Sequence, residues 1–341
     1  MLKRFPSQIC HDRSTKMRLI LAPMEGVMDY TMRDLLTRIG GYDRCVTEFV
    51  RVTREVLPPR VFYRACPELH HGSKTPSGVP VYVQLLGGEV HYMAANAAVV
   101  ANLGAAGIDI NFGCPSKTVN SSDGGSVLLR EPERVHAIVR AMRAAVDPAI
   151  PVTAKIRLGF HDGSLFEDIA LGIAEAGATE LCVHARTKQH GYQPPAYWAE
   201  IGKVKPKLHI PVIANGEIWS AADARDAQAQ SGCVDLMLGR GALSFPDLAL
   251  SIKAHHSGTP YTPLPWATIL PLVIDLASDL GQREPRYAAG FVKQWFTYLR
   301  RQYPEAETLF QHIKRMKDAN HIKAAMMQPI ELTGYDDERH G

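Results

Sequence analysis

Residues 80–115 read PVYVQLLGGEVHYMAANAAVVANLGAAGIDINFGCP. They begin with an apolar run at 80–85, continue with a helix-period segment at 91–103 that Gly104 ends, and close with a second apolar run at 108–111. A helix between two short apolar runs predicts that the runs are parallel strands, because antiparallel neighbours need only a tight turn. The stretch therefore predicts one βαβ unit.

The same alternation extends over residues 18–257. Strand candidates lie at 18–22, 44–47, 80–85, 108–111, 151–156, 180–184, 210–214 and 235–238. Helix candidates lie between them, at 30–39, 91–103, 133–145, 168–176 and 220–230. Eight βα units in about 240 residues favour an α/β fold of the TIM (β/α)8 barrel type, since a doubly wound sheet usually has fewer strands and a Gly-rich dinucleotide turn. No G-x-G-x-x-G follows any of these runs.

The pattern changes after residue 257. Helix-period segments without a strand signal follow at 266–280, 285–303 and 305–316, which predicts a C-terminal all-helical domain. The predicted organisation is a disordered N-terminal extension at 1–16, a catalytic barrel at 17–257, a helical domain at 258–330 and a C-terminal tail at 331–341. The first segment carries charge but no apolar core of a signal peptide, so no export signal is expected.

Positive charge is concentrated in the predicted helical domain. The net charge of the whole chain is only +3, which by itself does not indicate a nucleic-acid partner. Residues 281–324, however, carry nine Lys or Arg against four Asp or Glu, so the rest of the chain is slightly acidic. This distribution favours phosphate contacts by the C-terminal helices.

The six cysteines are scattered without a C-x-x-C pair, which argues against a zinc site or a disulfide framework. No apolar stretch reaches the roughly 18 residues needed to span a membrane. We therefore expect a cytoplasmic protein with reduced thiols, no metal and no membrane contact. Cys45, Cys182 and Cys233 lie in strand-like runs and are expected to be inert core residues.

Polar and Gly-rich clusters follow all eight strand candidates, at the face of a TIM barrel where active sites lie. In chain order they are Pro23-Met24-Glu25-Gly26, Glu48, Gln84, Asn111-Phe112-Gly113-Cys114-Pro115, Lys155 with Arg157, His184 with Arg186, Asn215-Gly216-Glu217 and Gly239-Arg240-Gly241. The last two clusters follow strands 7 and 8, where a phosphate commonly binds, and predict a phosphate-bearing cofactor. A plainer interpretation is that their glycines only form tight turns.

Lys155 interrupts the apolar strand PVTAKIRL, and a buried ammonium without an anionic partner is costly. In a flavin enzyme, a lysine near the pyrimidine end of the ring would stabilise negative charge that develops on reduction. The alternative is a structural lysine paired with an acid on a neighbouring strand. Gln84 leaves a similar choice, between a bond to the flavin edge and a cap on its strand.

Cys114 lies in a predicted loop between Gly113 and Pro115, close to Lys117. This position favours a thiol that is presented to a bound substrate as a proton donor. Residue type alone leaves an exposed cysteine without a role as an equal alternative.

Eight motifs and one late block resemble those of tRNA-dihydrouridine synthases. The motifs are LAPMEGVMD (21–29), TEFVRV (47–52), VQLLG (83–87), INFGCPSKTVNSSDGGSVLL (110–129), AKIRLG (154–159), VHARTKQHGY (183–192), VIANGEIWS (212–220) and LGRGALSFPDL (238–248). The late block is KQWFTYLRRQYPEAETLFQHIKR (293–315), in the style of the bacterial DusC branch. The resemblance covers residues 17–320 and implies the same barrel with a helical tRNA-binding domain.

The resemblance implies reduction of a uridine in tRNA by FMN, which NADPH, or alternatively NADH, reduces. Hydride would pass from the flavin to C6 of the uracil, and Cys114 would supply the proton at C5. The residues implied for FMN are Pro23, Met24, Glu25, Gln84, Lys155, His184, Asn215, Gly216, Glu217, Gly239 and Arg240. Those implied for uracil or tRNA are Arg51, Asn111, Arg157, Lys293, Tyr298 and Lys314.

The DusC-like features imply position 16 of the D-loop, with the base extruded from its stack into the pocket. We expect a monomer, because tRNA must lie across both the barrel mouth and the helical domain. Trp295 is expected in the core rather than stacked on a base. Two alternatives remain: a flavin reductase of free pyrimidines, of the dihydroorotate type, and a non-catalytic tRNA-binding protein on the same fold.

Overall fold

A computed structural model describes residues 17–328, so the predicted extension at 1–16 and the tail at 331–341 lie outside the described residues. The strands are β1 Leu19–Leu21, β2 Arg44–Val46, β3 Val50–Arg51, β4 Val81–Leu86, β5 Ile108–Asn111, β6 Val152–Arg157, β7 Glu180–His184, β8 Val212–Asn215 and β9 Asp235–Leu238. The helices are α1 Tyr30–Ile39, α2 Pro59–Ala65, α3 Val90–Asn102, α4 Lys117–Asn120, α5 Pro132–Ala145, α6 Phe166–Glu175, α7 Trp198–Val204, α8 Ala221–Ser231, α9 Arg240–Ser244, α10 Leu248–His256, α11 Trp266–Arg283, α12 Pro285–Leu299, α13 Pro304–Ile313 and α14 Ala319–Met326.

The strands form one closed parallel barrel. Their order is β2-β1-β9-β8-β7-β6-β5-β4-β3, and β2 also pairs with β4, which closes the ring. Because β2 and β3 both pair in parallel with β4, they are two halves of one interrupted strand. The barrel therefore has eight strand positions. The predicted TIM barrel is confirmed. The second strand, however, is broken at 47–49, and Arg51 lies in its continuation β3 rather than beyond it.

The barrel is closed at its N-terminal end by ion pairs. Arg18 contacts Glu180 at 2.5 Å and Asp235 at 2.6 Å, and Arg44 contacts the other oxygen of Glu180 at 2.7 Å. The guanidinium of Arg44 also lies 4.5 Å from the ring centre of Tyr82. Next to this layer of ion pairs, a small apolar cluster fills the interior of the barrel. It includes Ile20, Val46, Cys182, Ile213 and Met237.

Helices α11–α14 pack as a bundle against the barrel. Their buried side chains and those around the barrel form one continuous core, so the division at residue 257 into two domains stays a prediction. Trp295 is buried, as expected, and its indole N–H donates to the carbonyl of Leu243 at 3.0 Å. Helix α14 was not predicted, because eight residues give little periodicity; its N-terminal signal is the carboxylate of Asp318, which accepts two backbone N–H groups. Among the described residues, no helix is long and apolar enough to cross a membrane.

Candidate active site

A cavity of about 580 Å³ opens at the C-terminal ends of the strands. This volume is typical of small-molecule and cofactor sites. The predicted residues that line it are Pro23, Met24, Glu25, Gln84, Asn111, Cys114, Lys155, Arg157, His184, Asn215, Gly216, Glu217, Gly239, Arg240 and Tyr298. Arg51, Lys293 and Lys314 lie outside the lining. The structure thus brings the predicted catalytic and cofactor residues together and leaves three of the predicted tRNA contacts apart from them.

The loop that carries Cys114 is held by two asparagines. Oδ1 of Asn111, at the end of β5, accepts the backbone N–H groups of Gly113 and Cys114, both at 2.9 Å. Nδ2 of Asn120, in α4, donates to the carbonyls of Cys114 at 3.1 Å and Ser116 at 2.6 Å. The backbone on both sides of the thiol is therefore fixed before any substrate binds.

The electrostatic surroundings keep the thiol of Cys114 protonated. Burial raises its pKa, and the nearby charge of Glu25 raises it further, against a lowering by the backbone of Ser116 and by Arg157. Cys114 is half-buried, whereas Cys45, Cys66, Cys182 and Cys233 are buried. Cys233 precedes β9 instead of lying in it, which corrects its predicted place in a strand.

Lys155 points its ammonium at the cavity from the middle of β6. Nζ donates to Oδ1 of Asn215 at 3.2 Å, and Nδ2 of Asn215 donates to the carbonyl of Met237 at 2.8 Å, which fixes the direction of that amide. No acid pairs with Lys155 within residues 17–328, so the structural ion pair considered from the sequence is not found there. Burial lowers the pKa of this ammonium.

His184 is buried at the end of β7, and its Nδ1 has no hydrogen-bond partner among the described residues. Burial, together with the positive charges of Arg157 and Lys155, holds the pKa of His184 well below its usual value. The imidazole is therefore neutral, and an unpaired buried nitrogen favours a ligand that completes its hydrogen bonds. Gly216 follows with φ +113°, a backbone conformation that favours glycine.

Glu217 is the centre of an ionic cluster. Its Oε1 lies 2.9 Å from Arg186 and 2.7 Å from Arg240, and its Oε2 accepts the indole N–H of Trp219 at 3.1 Å. Burial would raise the pKa of this carboxyl, but the bonds from Arg186 and Trp219 lower it. The carboxylate therefore orients Arg240 and has little capacity left for a ligand.

Backbone N–H groups line the cavity where α9 begins. Gly239 precedes the helix, and the first N–H groups of a helix have no partner within it. A Cβ on Gly241 would lie 2.1 Å from the carbonyl oxygen of Ile218. Gly241 is therefore required for close packing inside α9 rather than for the tight turn considered from the sequence, and this is compatible with a phosphate at the helix start.

Aromatic residues at the cavity mouth were missed from the sequence. Tyr192 is 53% exposed and lies between two guanidinium groups, with Arg157 and Arg240 each 5.1 Å from its ring centre. Trp219 is contacted by Arg240 at 5.2 Å and by Arg301 at 4.1 Å. Both belong to quoted motifs that follow strands, and that position was the available signal.

The three residues outside the cavity have protein partners of their own. Lys293 donates to the carbonyl of Met316 at 2.7 Å, and Lys314 contacts Gln311. Arg51 lies 3.5 Å from the hydroxyl of Ser122, in the segment that follows Cys114. Their part in tRNA binding stays a prediction.

The barrel is shared with solved structures at low sequence identity. A structure of a 2-naphthoyl-CoA reductase complex aligns with a TM-score of 0.54 at 11% identity, over 71% of this chain and 50% of that chain. Histamine dehydrogenase from Rhizobium sp. 4-9 aligns with a TM-score of 0.53 at 14% identity, over 71% of this chain and 46% of that chain. These likenesses show the fold alone.

Fold, site and sequence likeness together place the protein among the flavin-dependent (β/α)8-barrel oxidoreductases. The sequence model of the dihydrouridine synthase (Dus) family matches residues 20–331, and the chain belongs to that family. A relative from Shewanella oneidensis, named tRNA-dihydrouridine(16) synthase, is 53% identical over 92% of this chain and 98% of its own length. A relative of the same name from Pseudomonas putida is 50% identical over 90% of this chain and 95% of its own length.

Proposed function

We propose that this protein reduces the C5=C6 bond of the uridine at position 16 of the tRNA D-loop, with FMN as cofactor and NADPH as reductant. The observation that carries the proposal is that Cys114, on a loop held by Asn111 and Asn120, and the ammonium of Lys155 line the same cavity. The names of the relatives support tRNA as substrate and position 16 as target. The protein would act as a cytoplasmic monomer.

The hydrogen-bonding groups that line the cavity fit a flavin nucleotide. Among residues 17–328, the ammonium of Lys155 has no acid partner and the buried Nδ1 of His184 has no hydrogen-bond partner, and both favour a polar ligand. Lys155 and Gln84 would face the ring, Gly216, Gly239 and Arg240 would hold the phosphate, and Glu217 would orient Arg240. When bound, FMN supplies the hydride; the protein supplies position, charge and the proton.

Arg157 and Cys114, at the mouth of the cavity, would act on the uracil when it is protonated. Arg157 donates to the carbonyls of Gly113, Thr187 and Gly191 at 2.8–3.0 Å, so it joins the loops around the mouth and places positive charge beside the thiol. Cys114 donates its proton to C5 and regains one from solvent. The cost of extruding a base, roughly a few kcal/mol, is offset by phosphate contacts of the basic helices.

The direct test combines the visible spectrum of the purified protein with a map of dihydrouridine in tRNA from cells with and without the gene. We expect a yellow protein and loss of dihydrouridine at position 16 alone. Loss at another position would correct the site of action. A yellow protein with unchanged tRNA would favour the free-pyrimidine reductase, and a colourless protein with unchanged tRNA would favour the non-catalytic binder.

The rate of the reaction with tRNA is expected to fall as pH rises through the pKa of Cys114. A general acid must be protonated, and burial raises the pKa of this thiol, so the rate should be constant at neutral pH and decline only in alkaline solution. The measurement is single-turnover oxidation of pre-reduced enzyme by tRNA across pH. A rate that instead rises with pH would contradict the assignment.

Joint replacement of Lys293 and Lys314 by alanine is expected to weaken tRNA binding and to reduce the slope of log affinity against log salt by about 2, one for each lost phosphate contact. The matched control is Lys203→Ala with Lys207→Ala, which removes the same charge from exposed positions 67% and 53% accessible on the barrel. Equal slopes for the two double variants would exclude Lys293 and Lys314 from the contact surface.

A further inference from the structure

Three side chains on neighbouring strands form a hydrogen-bonded chain inside the barrel. Oδ2 of Asp109, on β5, accepts from Nε2 of Gln84, on β4, at 2.7 Å. Oε1 of Gln84 accepts from Nδ2 of Asn111 at 2.8 Å. Oδ1 of Asn111 accepts the N–H groups of Gly113 and Cys114. We call Asp109–Gln84–Asn111 the amide relay; it connects a buried carboxylate to the loop that carries the thiol.

The two ends of the amide relay fix its direction. Burial raises the pKa of Asp109, against a lowering by its hydrogen bonds from Gln84 and Thr153 and by Arg44 and Lys155. As a carboxylate it accepts hydrogen bonds and donates none, so it requires an N–H of Gln84. The backbone N–H groups at the other end only donate, so Asn111 must turn its oxygen towards them. Gln84 satisfies both neighbours in one orientation only, since a flipped amide would place oxygen against oxygen and nitrogen against nitrogen. The three side chains are buried, at 2%, 0% and 8% exposure, which leaves little room for water to relieve such a mismatch.

Asp109 reaches the Cys114 loop only through the two amides, although its charge also acts on Lys155. Its Oδ1 accepts from the hydroxyl of Thr153, on β6, at 2.5 Å, so both carboxylate oxygens have donors. The charged groups that face it are Arg44, from β2, and Lys155, from β6. Asp109 is absent from the cavity lining, whereas Gln84 and Asn111 belong to it. Any effect of Asp109 on the position of the Cys114 loop must therefore pass through the two amides.

We propose that Asp109 is a positioning residue, which sets the direction of the amide relay and thereby holds Asn111 and the Cys114 loop in the arrangement that protonates the uracil. The proposal rests on the proposed function, because the role of the thiol as acid gives its position a consequence. It assigns this positioning role to the half-reaction with tRNA, and the effect of the Asp109 charge on Lys155 is followed separately as the rate of flavin reduction.

The test removes the N–H donor from the hydrogen bond between Gln84 and Asp109, and then supplies a donor from the other side of the same bond. In Gln84→Glu, two carboxyl groups meet where an N–H and a carboxylate met, so the link persists only while the pair shares a proton. The relay should hold at low pH and fail as pH rises. Adding Asp109→Asn supplies an N–H from position 109, which restores the direction with the same number of carboxylates and without a shared proton.

The first readout is amide hydrogen exchange at Gly113 and Cys114 in the flavin-loaded protein without tRNA, corrected for the intrinsic effect of pH. In Gln84→Glu we expect exchange about tenfold faster than in the parent at high pH and near parental at low pH. The double variant should show parental protection throughout. This readout involves neither catalysis nor substrate.

The second readout is single-turnover oxidation of the pre-reduced enzyme by tRNA. It should fall about tenfold in Gln84→Glu at high pH, and at the same pH the double variant should be faster than Gln84→Glu. The rate of flavin reduction by NADPH, measured separately, reports any direct effect of the new carboxylate on the flavin. Should Gln84→Glu fail to fold, Asn111→Asp with and without Asp109→Asn makes the same comparison with the relay reversed.

Parental exchange in the single variant at every pH, or a folded double variant without restored protection, would overturn the proposal. So would restored protection with oxidation by tRNA no faster than in Gln84→Glu. If the parent itself forms no dihydrouridine, the proposed function fails and the assignment of Asp109 to its half-reaction fails with it, whereas an unchanged exchange pattern in an active parent refutes the relay alone.

Discussion

Alanine at position 114 is expected to slow the reduction of uridine in tRNA by about 10²–10⁴-fold, the range that a positioned general acid contributes. Flavin binding and its reduction by NADPH should stay intact, because the thiol makes no bond that holds the cavity walls. The two half-reactions are followed separately by flavin absorbance under anaerobic conditions, first with NADPH and then with tRNA. A selective loss in the second step is the expected signature.

Two further variants sharpen this experiment. Cys114→Ser keeps the size of the side chain but replaces the thiol by a much weaker acid, so it should resemble alanine in the tRNA step. Cys233→Ala removes a buried thiol outside the cavity lining and should leave both steps near parental. Dihydrouridine formation by Cys114→Ala at the parental rate would rule the thiol out as the acid.

Removal of the Lys155 side chain, as in Lys155→Ala, is expected to slow hydride transfer about 10²-fold, the cost of losing one preorganised charge at the reacting centre. Its ammonium is fixed by Asn215 and has no acid partner among residues 17–328, so its charge is available to a ligand. The substitution should also weaken flavin retention. Both effects are measured, as the flavin content of the purified variant and as the rate of flavin reduction by NADPH.

Lys155→Arg separates charge from shape. It keeps the positive charge but moves it on a longer, planar group, so flavin retention should recover more than the rate of reduction. Lys155→Met supplies a side chain of similar length without charge and should resemble alanine. A variant Lys155→Ala with parental flavin content and parental reduction rate would remove this residue from the proposed machinery.

The barrel could be predicted from sequence because each strand carries its own signal, a short apolar run that a helix follows. The second strand position follows this rule only in its first half: the run at 44–47 predicts β2, and β3 was missed. The two halves are separated by Thr47–Phe49, where Glu48 turns its carboxylate to accept the N–H of Val27 at 3.1 Å, and a two-residue strand such as β3 has no periodicity to detect. Pairing with β4, a long-range contact, decides where the strand continues.

The site was predicted as a set of strand ends, which is where parallel strands bring polar side chains together. The relations within the set were beyond the sequence. Glu217 was expected to bind cofactor, but three neighbours from separate positions, Arg186, Trp219 and Arg240, occupy its carboxylate. Asp109 was assigned no role, because a single acid in an apolar strand gives no sign of the partners it will meet.

The position of the ion pairs in the barrel bears on the order in which NADPH and tRNA react. These pairs join Arg18, Arg44, Glu180 and Asp235. They lie at the N-terminal ends of the strands, opposite the C-terminal rim where the cavity opens. In the proposed reaction, NADPH and tRNA both reach the cavity from this C-terminal rim. A bound tRNA would cover this rim and exclude NADPH. NADPH would therefore react before tRNA binds, and the electrons would be held in the site between the two half-reactions.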